Sequence, residues 1–226
     1  MIFTRKFINE AILEGIVPLT CLKCTHPIPF EGHIAGVCSF CVMNWEIFES
    51  DITSKTLFRE RFYSDWCAVG FRLRDSGTKA IIHRCKYGGD PKCIKTLGKW
   101  MACRWPPPPQ GSVLTPIPIH WKRRLQRGYN QAKLFADGMA EVWGVEVDGG
   151  ELIRLKHGKS LTGSGRNDRG EALKLTYGLN NKVKSDQRLV VLVDDVLTTG
   201  ATLRACRYIL EKQGRKVVGA AVLAMA

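Results

Sequence analysis

Leu189-Val-Val-Leu-Val-Asp194-Asp195-Val-Leu-Thr198-Thr199-Gly200-Ala201-Thr202 decides the fold. Five apolar residues in a row suit a strand buried on both faces. Two adjacent carboxylates at its carboxyl end are costly there unless they bind something polar. A hydroxyl-rich turn follows and opens a helix, because Leu203, Cys206, Ile209 and Leu210 recur at helical spacing over Ala201 to Gln213. Gly214 then ends that helix. At such a helix start the free backbone N–H groups and the positive end of the dipole favour a phosphate. Gly200 permits close backbone approach, and the Thr198, Thr199 and Thr202 hydroxyls add donors. One sheet edge thus offers acceptors for sugar hydroxyls with a phosphate cradle beside them. A plain strand-to-helix turn with threonine caps would not need the acidic pair.

The same alternation runs upstream. Short apolar runs at Ala68 to Leu73, Val113 to Pro118 and Val217 to Leu223 are interleaved with segments of helical period. The clearest of these is Tyr129 to Trp143, with Ala132, Phe135, Ala136, Met139, Ala140 and Trp143 on one face. The pattern predicts an α/β fold, a parallel sheet flanked by helices, from about Trp66 to the end. In an open sheet of this kind ligands bind at the carboxyl ends of the strands. The tetraproline Pro106 to Pro109 suits neither helix nor central strand and reads as a stiff surface connection.

A different module precedes this body. Cys21-Leu-Lys-Cys24 and Cys38-Ser-Phe-Cys41 are two C-x-x-C knuckles with thirteen residues between them. Two such turns bring four thiolates onto one tetrahedral site, with bonds of about 2.3 Å. A closed four-sulfur set leaves no open position, so the expected Zn²⁺ is structural. His26 and His33 lie between the knuckles and could replace a cysteine. Cys67, Cys85, Cys93, Cys103 and Cys206 share no spacing and are expected to be packed in the interior. Residues 2 to 16 could form a short helix, and Asn44 to Asp65 reads as a connector. The division is therefore 1–65 for the zinc-binding segment with its connector and 66–226 for the α/β domain. The N-terminal stretch lacks an apolar signal core, and no run approaches the ~18 apolar residues of a membrane helix. A reducing cytoplasm is the expected setting, without membrane insertion.

VVLVDDVLTTGAT resembles the binding signature for phosphoribosyl pyrophosphate (PRPP) of type I phosphoribosyltransferases. The whole chain is similar to the ComF family of competence and DNA-utilization proteins. That likeness includes the knuckles, Lys86-Tyr87-Gly88-Gly89-Asp90, Pro116-Ile-Pro118 followed by Arg127-Gly-Tyr-Asn-Gln131, and the C-terminal motif, in the family's order. The resemblance implies a small zinc finger on a type I phosphoribosyltransferase-like domain, and a part in carrying incoming single-stranded DNA during natural transformation. It implies that Asp194 and Asp195 hold the ribose hydroxyls and that Thr198, Thr199, Gly200, Ala201 and Thr202 hold the 5′-phosphate. Lys86 to Asp90 would accept pyrophosphate, with Mg²⁺ accompanying PRPP. Arg127 and its RGYNQ segment would flank the pocket. Where the family carries a Gln before an Arg-x-x-Asn pair, Ser160 to Arg169 keeps Arg166 and Arg169 but lacks the Gln. Ala172 stands where the Asn is expected. This departure bears on turnover more than on PRPP binding. Turnover would displace pyrophosphate from C1 of the ribose through an oxocarbenium-like state. No side chain declares itself a general base; His83, His120 and His157 qualify only by type.

The chain of 226 residues has 45% hydrophobic and 24% charged residues, which excludes disordered, collagenous and coiled-coil classes. Its net charge is +13. Residues 79–104 carry seven basic and one acidic residue, 121–134 five and none, and 154–174 six and two. Those segments total +15, leaving −2 for the rest. Trp100, Trp105, Trp121 and Tyr129 fall within or beside them, and basic grooves with aromatic platforms suit single strands. Arg123, Arg124, Arg127, Arg166 and Arg169 are the candidate pocket-flanking and DNA-binding cations. Three function classes remain. The first binds PRPP or a DNA 5′-phosphate and handles single-stranded DNA, with DNA-uptake, helicase or recombination proteins as partners. The second is a metabolic phosphoribosyltransferase. The third is a zinc-finger adaptor with a vestigial pocket. One small ligand would use three or four of these charges, so the surplus favours the first class.

Overall fold

The computed structural model describes residues 20–28, 33–45, 47–48, 52–64, 66–87, 90–148, 150–155, 176–180 and 187–226. The N-terminal helix expected over residues 2–16 lies outside them. A two-residue hairpin, β1 (His33–Ile34) with β2 (Val37–Cys38), turns through Ala35 and Gly36, both at positive φ. It leads into the short helix α1 (Ser39–Met43). The stretch read as a connector holds a helix, α2 (Ile52–Phe62), whose Phe58 and Phe62 are fully buried. Four apolar residues in eleven were too few to write a helical stripe, and tertiary packing supplies what the pattern lacks.

The body then alternates as expected. Strand β3 (Trp66–Arg72) is followed by α3 (Ser76–Tyr87) and α4 (Pro91–Ala102). Strand β4 (Ser112–Pro116) leads through α5 (Trp121–Arg127) and α6 (Gln131–Trp143) to β5 (Glu146–Val147). An antiparallel pair, β6 (Leu152–Arg154) and β7 (Tyr177–Leu179), stands apart from the main sheet. Strand β8 (Leu189–Leu197), α7 (Ala201–Glu211) and β9 (Val217–Met225) complete the chain.

The main sheet is parallel throughout, in the order β3-β9-β8-β4-β5. From β4 the chain moves to one side, through α6 to β5. From β8 it moves to the other, through α7 to β9. The gap between β4 and β8 is therefore the switch point, where the two outgoing loops diverge and leave a crevice. Val190 to Val193 are fully buried, as a strand covered on both faces requires. The strand outruns its apolar core. Val193 is the last residue paired to β4, opposite Pro116, while β9 continues alongside to Leu197. Asp194 and Asp195 thus remain in the strand with one flank uncovered.

Helices α4 and α6 meet at Gly98 and Gly138. A Cβ on either would run into a backbone carbonyl of the other helix, Phe135 for Gly98 and Lys95 for Gly138. This close crossing fixes the start of α6 beside the crevice. The tetraproline is the surface connection expected, with the Trp66 indole donating to the Pro107 carbonyl at 3.2 Å. Of the five unpaired cysteines, Cys67, Cys85, Cys93 and Cys206 are buried as expected. Cys103 is exposed instead, because it caps the carboxyl end of α4. Among the described residues no helix is long and apolar enough to cross a membrane.

Candidate phosphate-sugar pocket and metal centre

The switch-point crevice is a cavity of about 290 Å³. Asp194, Asp195 and Thr202 come to it from β8 and α7, and Ile117 and Pro118 from the end of β4. Arg123, Arg127, Asn130, Gln131 and Ala132 come from α5 and the start of α6, Lys86 from the end of α3. Arg154 and Tyr177 reach it from the β6–β7 pair. Lys86 Nζ lies 2.9 Å from Asp195 Oδ2. The Asp195 N–H donates to Asp194 Oδ1 at 2.8 Å. Burial first, then the neighbouring Asp195 charge, pushes the Asp194 carboxyl up to about 8, against the opposing pull of that N–H, Lys86 and Arg154. Burial likewise raises the Tyr177 phenol.

Gly200 begins α7 at a φ of 75°, the left-handed conformation that favours glycine. A Cβ there would collide with the Arg61 carbonyl at the end of α2. Arg204 reaches back from the first turn of α7 and donates to the Thr199 carbonyl at 2.8 Å and to the Arg61 carbonyl. The Ala201 N–H meets Thr199 Oγ1 at 3.4 Å. Thr198 and Thr199 are exposed and Thr202 half-buried. Of that turn and helix start only Thr202 lines the cavity; the start of α6 does so fully, with Asn130 Oδ1 accepting the Ala132 N–H at 3.1 Å as its cap.

Unpartnered donors concentrate here. Among the described residues five buried side-chain polar atoms lack a partner, and Arg127 Nε, Gln131 Nε2 and Arg154 Nε belong to this wall. Gln131 is only 3% exposed, with its Oε1 accepting from Arg127 at 3.3 Å. A buried donor left unpaired costs about 1–3 kcal/mol. A ligand rich in oxygen acceptors would remove that cost.

The other expected residues separate. Asp90 caps α4 by accepting the Cys93 N–H at 3.1 Å and pairs with Arg84 at 3.1 Å. Tyr87 is exposed under the Arg127 guanidinium, 5.2 Å from its ring centre. Gly88, Gly89, Arg166, Arg169 and His157 lie outside the described residues. Arg124 faces a neighbouring cavity rather than this one. His120 is buried and caps α5, its Nδ1 accepting the Lys122 N–H at 3.2 Å; His83 is exposed. Trp105 offers no stacking surface, being buried with its indole donating to the Val69 carbonyl at 2.9 Å. Trp100 stacks on Phe71 at 5.1 Å under Arg104. Trp121 alone of the three is exposed. Arg154, Tyr177 and Arg204 were not foreseen as site residues. The only sequence signal was the basic count in which Arg154 shared.

The four knuckle cysteines converge, all sulfurs lying within 4.8 Å of one another. Cys24 Sγ and Cys38 Sγ are 3.8 Å apart, the edge of a tetrahedron with bonds of about 2.3 Å. The N–H groups of Lys23 and Cys38 point at Cys21 Sγ, and that of Cys41 at Cys38 Sγ, each at 3.4 Å. Such donors favour thiolates, so the set could hold a metal ion such as zinc. The module is tied to the body. Lys23 pairs with Asp75 at 2.8 Å, and the buried Trp45 donates to Thr78 at 2.9 Å while stacking on Phe71 at 4.1 Å.

Residues 135–226 match the phosphoribosyl transferase domain family. The chain is similar to Competence protein ComFC of Bacillus subtilis, 31% identical over 208 residues that span 88% of this chain and 75% of that one. It is similar to Competence protein F of Haemophilus influenzae, 34% identical over 103 residues, 45% of each chain. That second match thus spans less than half the length of its relative. Among solved structures, an allosteric regulatory enzyme of purine biosynthesis is 20% identical with a TM-score of 0.41, over 63% of this chain and 29% of that one.

Proposed function

The chain belongs to the ComF family of competence proteins, with a phosphoribosyltransferase-like domain, and from that premise we propose that it binds PRPP in the switch-point cavity and handles imported single-stranded DNA. One observation carries the first half. An acidic pair, the start of α6, the Thr202 hydroxyl of α7 and the unpartnered donors of Arg127, Gln131 and Arg154 line one cavity. That combination suits a ligand with sugar hydroxyls between two anionic ends.

In this reading Asp194 and Asp195 accept hydrogen bonds from the ribose hydroxyls. The backbone N–H groups and hydroxyls of Thr198 to Thr202 donate to the 5′-phosphate. Lys86, Arg127 and Gln131 donate to pyrophosphate, while Asp90 supports that loop as a helix cap. The acidic pair supplies hard oxygen ligands that fit Mg²⁺, which when bound neutralises pyrophosphate charge. Any transfer would break the C1–O bond, its electron pair leaving with pyrophosphate as the acceptor bonds to C1. The zinc module is structural, and its docking through Lys23 and Trp45 supports that role.

The DNA half rests on family membership and charge. Arg123, Arg124 and Arg127 share a seven-residue helix with Lys122 and no acidic residue. Affinity for a single-stranded oligonucleotide is expected to fall steeply with salt, as counterion release demands. Absent or salt-independent binding would favour a metabolic phosphoribosyltransferase instead. Titration calorimetry tests the pocket: the Asp194→Asn/Asp195→Asn double variant should lose PRPP binding, and equal affinity would remove the proposal.

A further inference from the structure

A second cavity, of about 530 Å³, adjoins the first and shares Pro118, Ile119, Asn130 and Arg154 with it. Nothing in the phosphate-sugar site uses it. Its walls include Trp121, Tyr129, Leu134 and Ile153, and Arg124 and Lys133 also line it.

Helix α5 is the unusual part. It buries none of its seven residues, and it carries four cations with no acidic partner on the helix. It is capped by His120 at the start and by left-handed Gly128 at the finish, with Arg127 of its last turn reaching Gln131 at 3.3 Å. Trp121 is 58% exposed although an indole gains much from burial. Its near neighbours are the His120 ring at 5.6 Å and Lys122 Nζ at 5.5 Å. So the fold places a large exposed aromatic and Arg124 at the mouth of this cavity, while Arg123 and Arg127 of the same helix face the first cavity and Lys133 is paired with Asp137 at 2.8 Å. Among the described residues the one carboxylate in the wall, Asp148, is already engaged by the N–H groups of Gly150 and Glu151.

We propose that this second cavity receives a nucleobase of single-stranded DNA, stacked on Trp121, while Arg124 holds a flanking phosphate. The proposal rests on the DNA-handling reading above and names the surface responsible. A free small base would not need that cation, and a duplex cannot present an unpaired base to the cavity. Because the cavities share a wall, a strand seated here has its neighbouring phosphates close to the first site.

The test compares a short single-stranded oligonucleotide with an abasic strand of equal length, which keeps the phosphates and lacks the bases. Wild-type protein should prefer the base-bearing strand by about tenfold. Trp121→Ala should abolish that preference, Trp121→Phe should keep most of it, and the melting temperature should not move. The inference is overturned if wild-type protein binds both strands equally, or if Trp121→Ala keeps the preference. In either case salt-dependent strand binding would survive and the wider reading would stand. Wild-type protein that binds neither strand sinks both.

Discussion

Lys86 Nζ sits 2.9 Å from Asp195 Oδ2, across the mouth of the cavity, and joins the end of α3 to the exposed flank of β8. Each side chain is about one quarter exposed, 26% and 24%. On the proposed reading the pair is a latch that the ligand opens. A sugar taking over Asp195 frees Lys86 for the anionic group beside it.

If so, Lys86→Met should cost little stability and much affinity. A partly exposed pair of this kind contributes about 1 kcal/mol or less. A charge-assisted hydrogen bond to a phosphate contributes about 1.5–3 kcal/mol, so PRPP affinity should fall roughly 10- to 100-fold. Urea unfolding and calorimetry on the same sample separate the two quantities. Equal losses in both would make Lys86 a structural residue.

Asp194 gives a pH signature. Its folded value is raised from 3.8 to about 8, chiefly by burial and next by Asp195. The folded protein thus keeps a proton that the unfolded chain has released. By linkage, stability conferred by that proton is complete below the lower value and is lost as pH rises toward the upper one. Asp194→Asn should flatten this part of the stability-pH curve, measured by urea unfolding across the range. An unchanged slope would show that Asp194 ionises normally.

Metal removal should act through Trp45. That side chain follows Cys41 by four residues, stacks on Phe71 and donates to Thr78. Chelation, or Cys38→Ser, is expected to lower the melting temperature by at least about 5 °C and to shift tryptophan emission to the red. Trp45→Phe should remove most of the emission change. Metal analysis should find one zinc per chain, and none in protein purified without chelator would end the idea.

These residues differ in how visible they were beforehand. Asp194, Asp195 and Thr202 were legible as residues of the cavity wall because strand, turn and helix start are contiguous, whereas Thr198 to Ala201 of the same turn do not line it. The knuckle cysteines were legible for the same reason. Arg154 and Tyr177 face each other only through the β6–β7 ladder, a pairing across a long sequence gap that no local period announces. Trp100, Trp105 and Trp121 look alike in sequence, and only packing sorts the buried Trp105 and the partly buried Trp100 from the exposed Trp121. Helix α2 stayed hidden because Ile52, one of its few apolar residues, is 84% exposed and blurs the stripe.

Arg204 was the least visible, because its partners are backbone carbonyls. It clamps Thr199 and Arg61 together, pressing the Thr198–Gly200 turn onto the end of α2. Gly200 is caught in that clamp, at a φ of 75° and with the Arg61 carbonyl where a Cβ would stand. A backbone carbonyl cannot swing aside as a side chain can. Gly200→Ala should therefore lose about 2 kcal/mol or more of stability, from left-handed strain plus the collision. Arg204→Lys keeps the charge but loses the fork that reaches two carbonyls at once. That variant is expected to melt within a few degrees of wild type and to bind PRPP about tenfold more weakly, because the turn can then open away from α2. A turn that holds its shape without α2 would give Arg204→Lys the wild-type PRPP affinity, and the clamp would then have no part in binding.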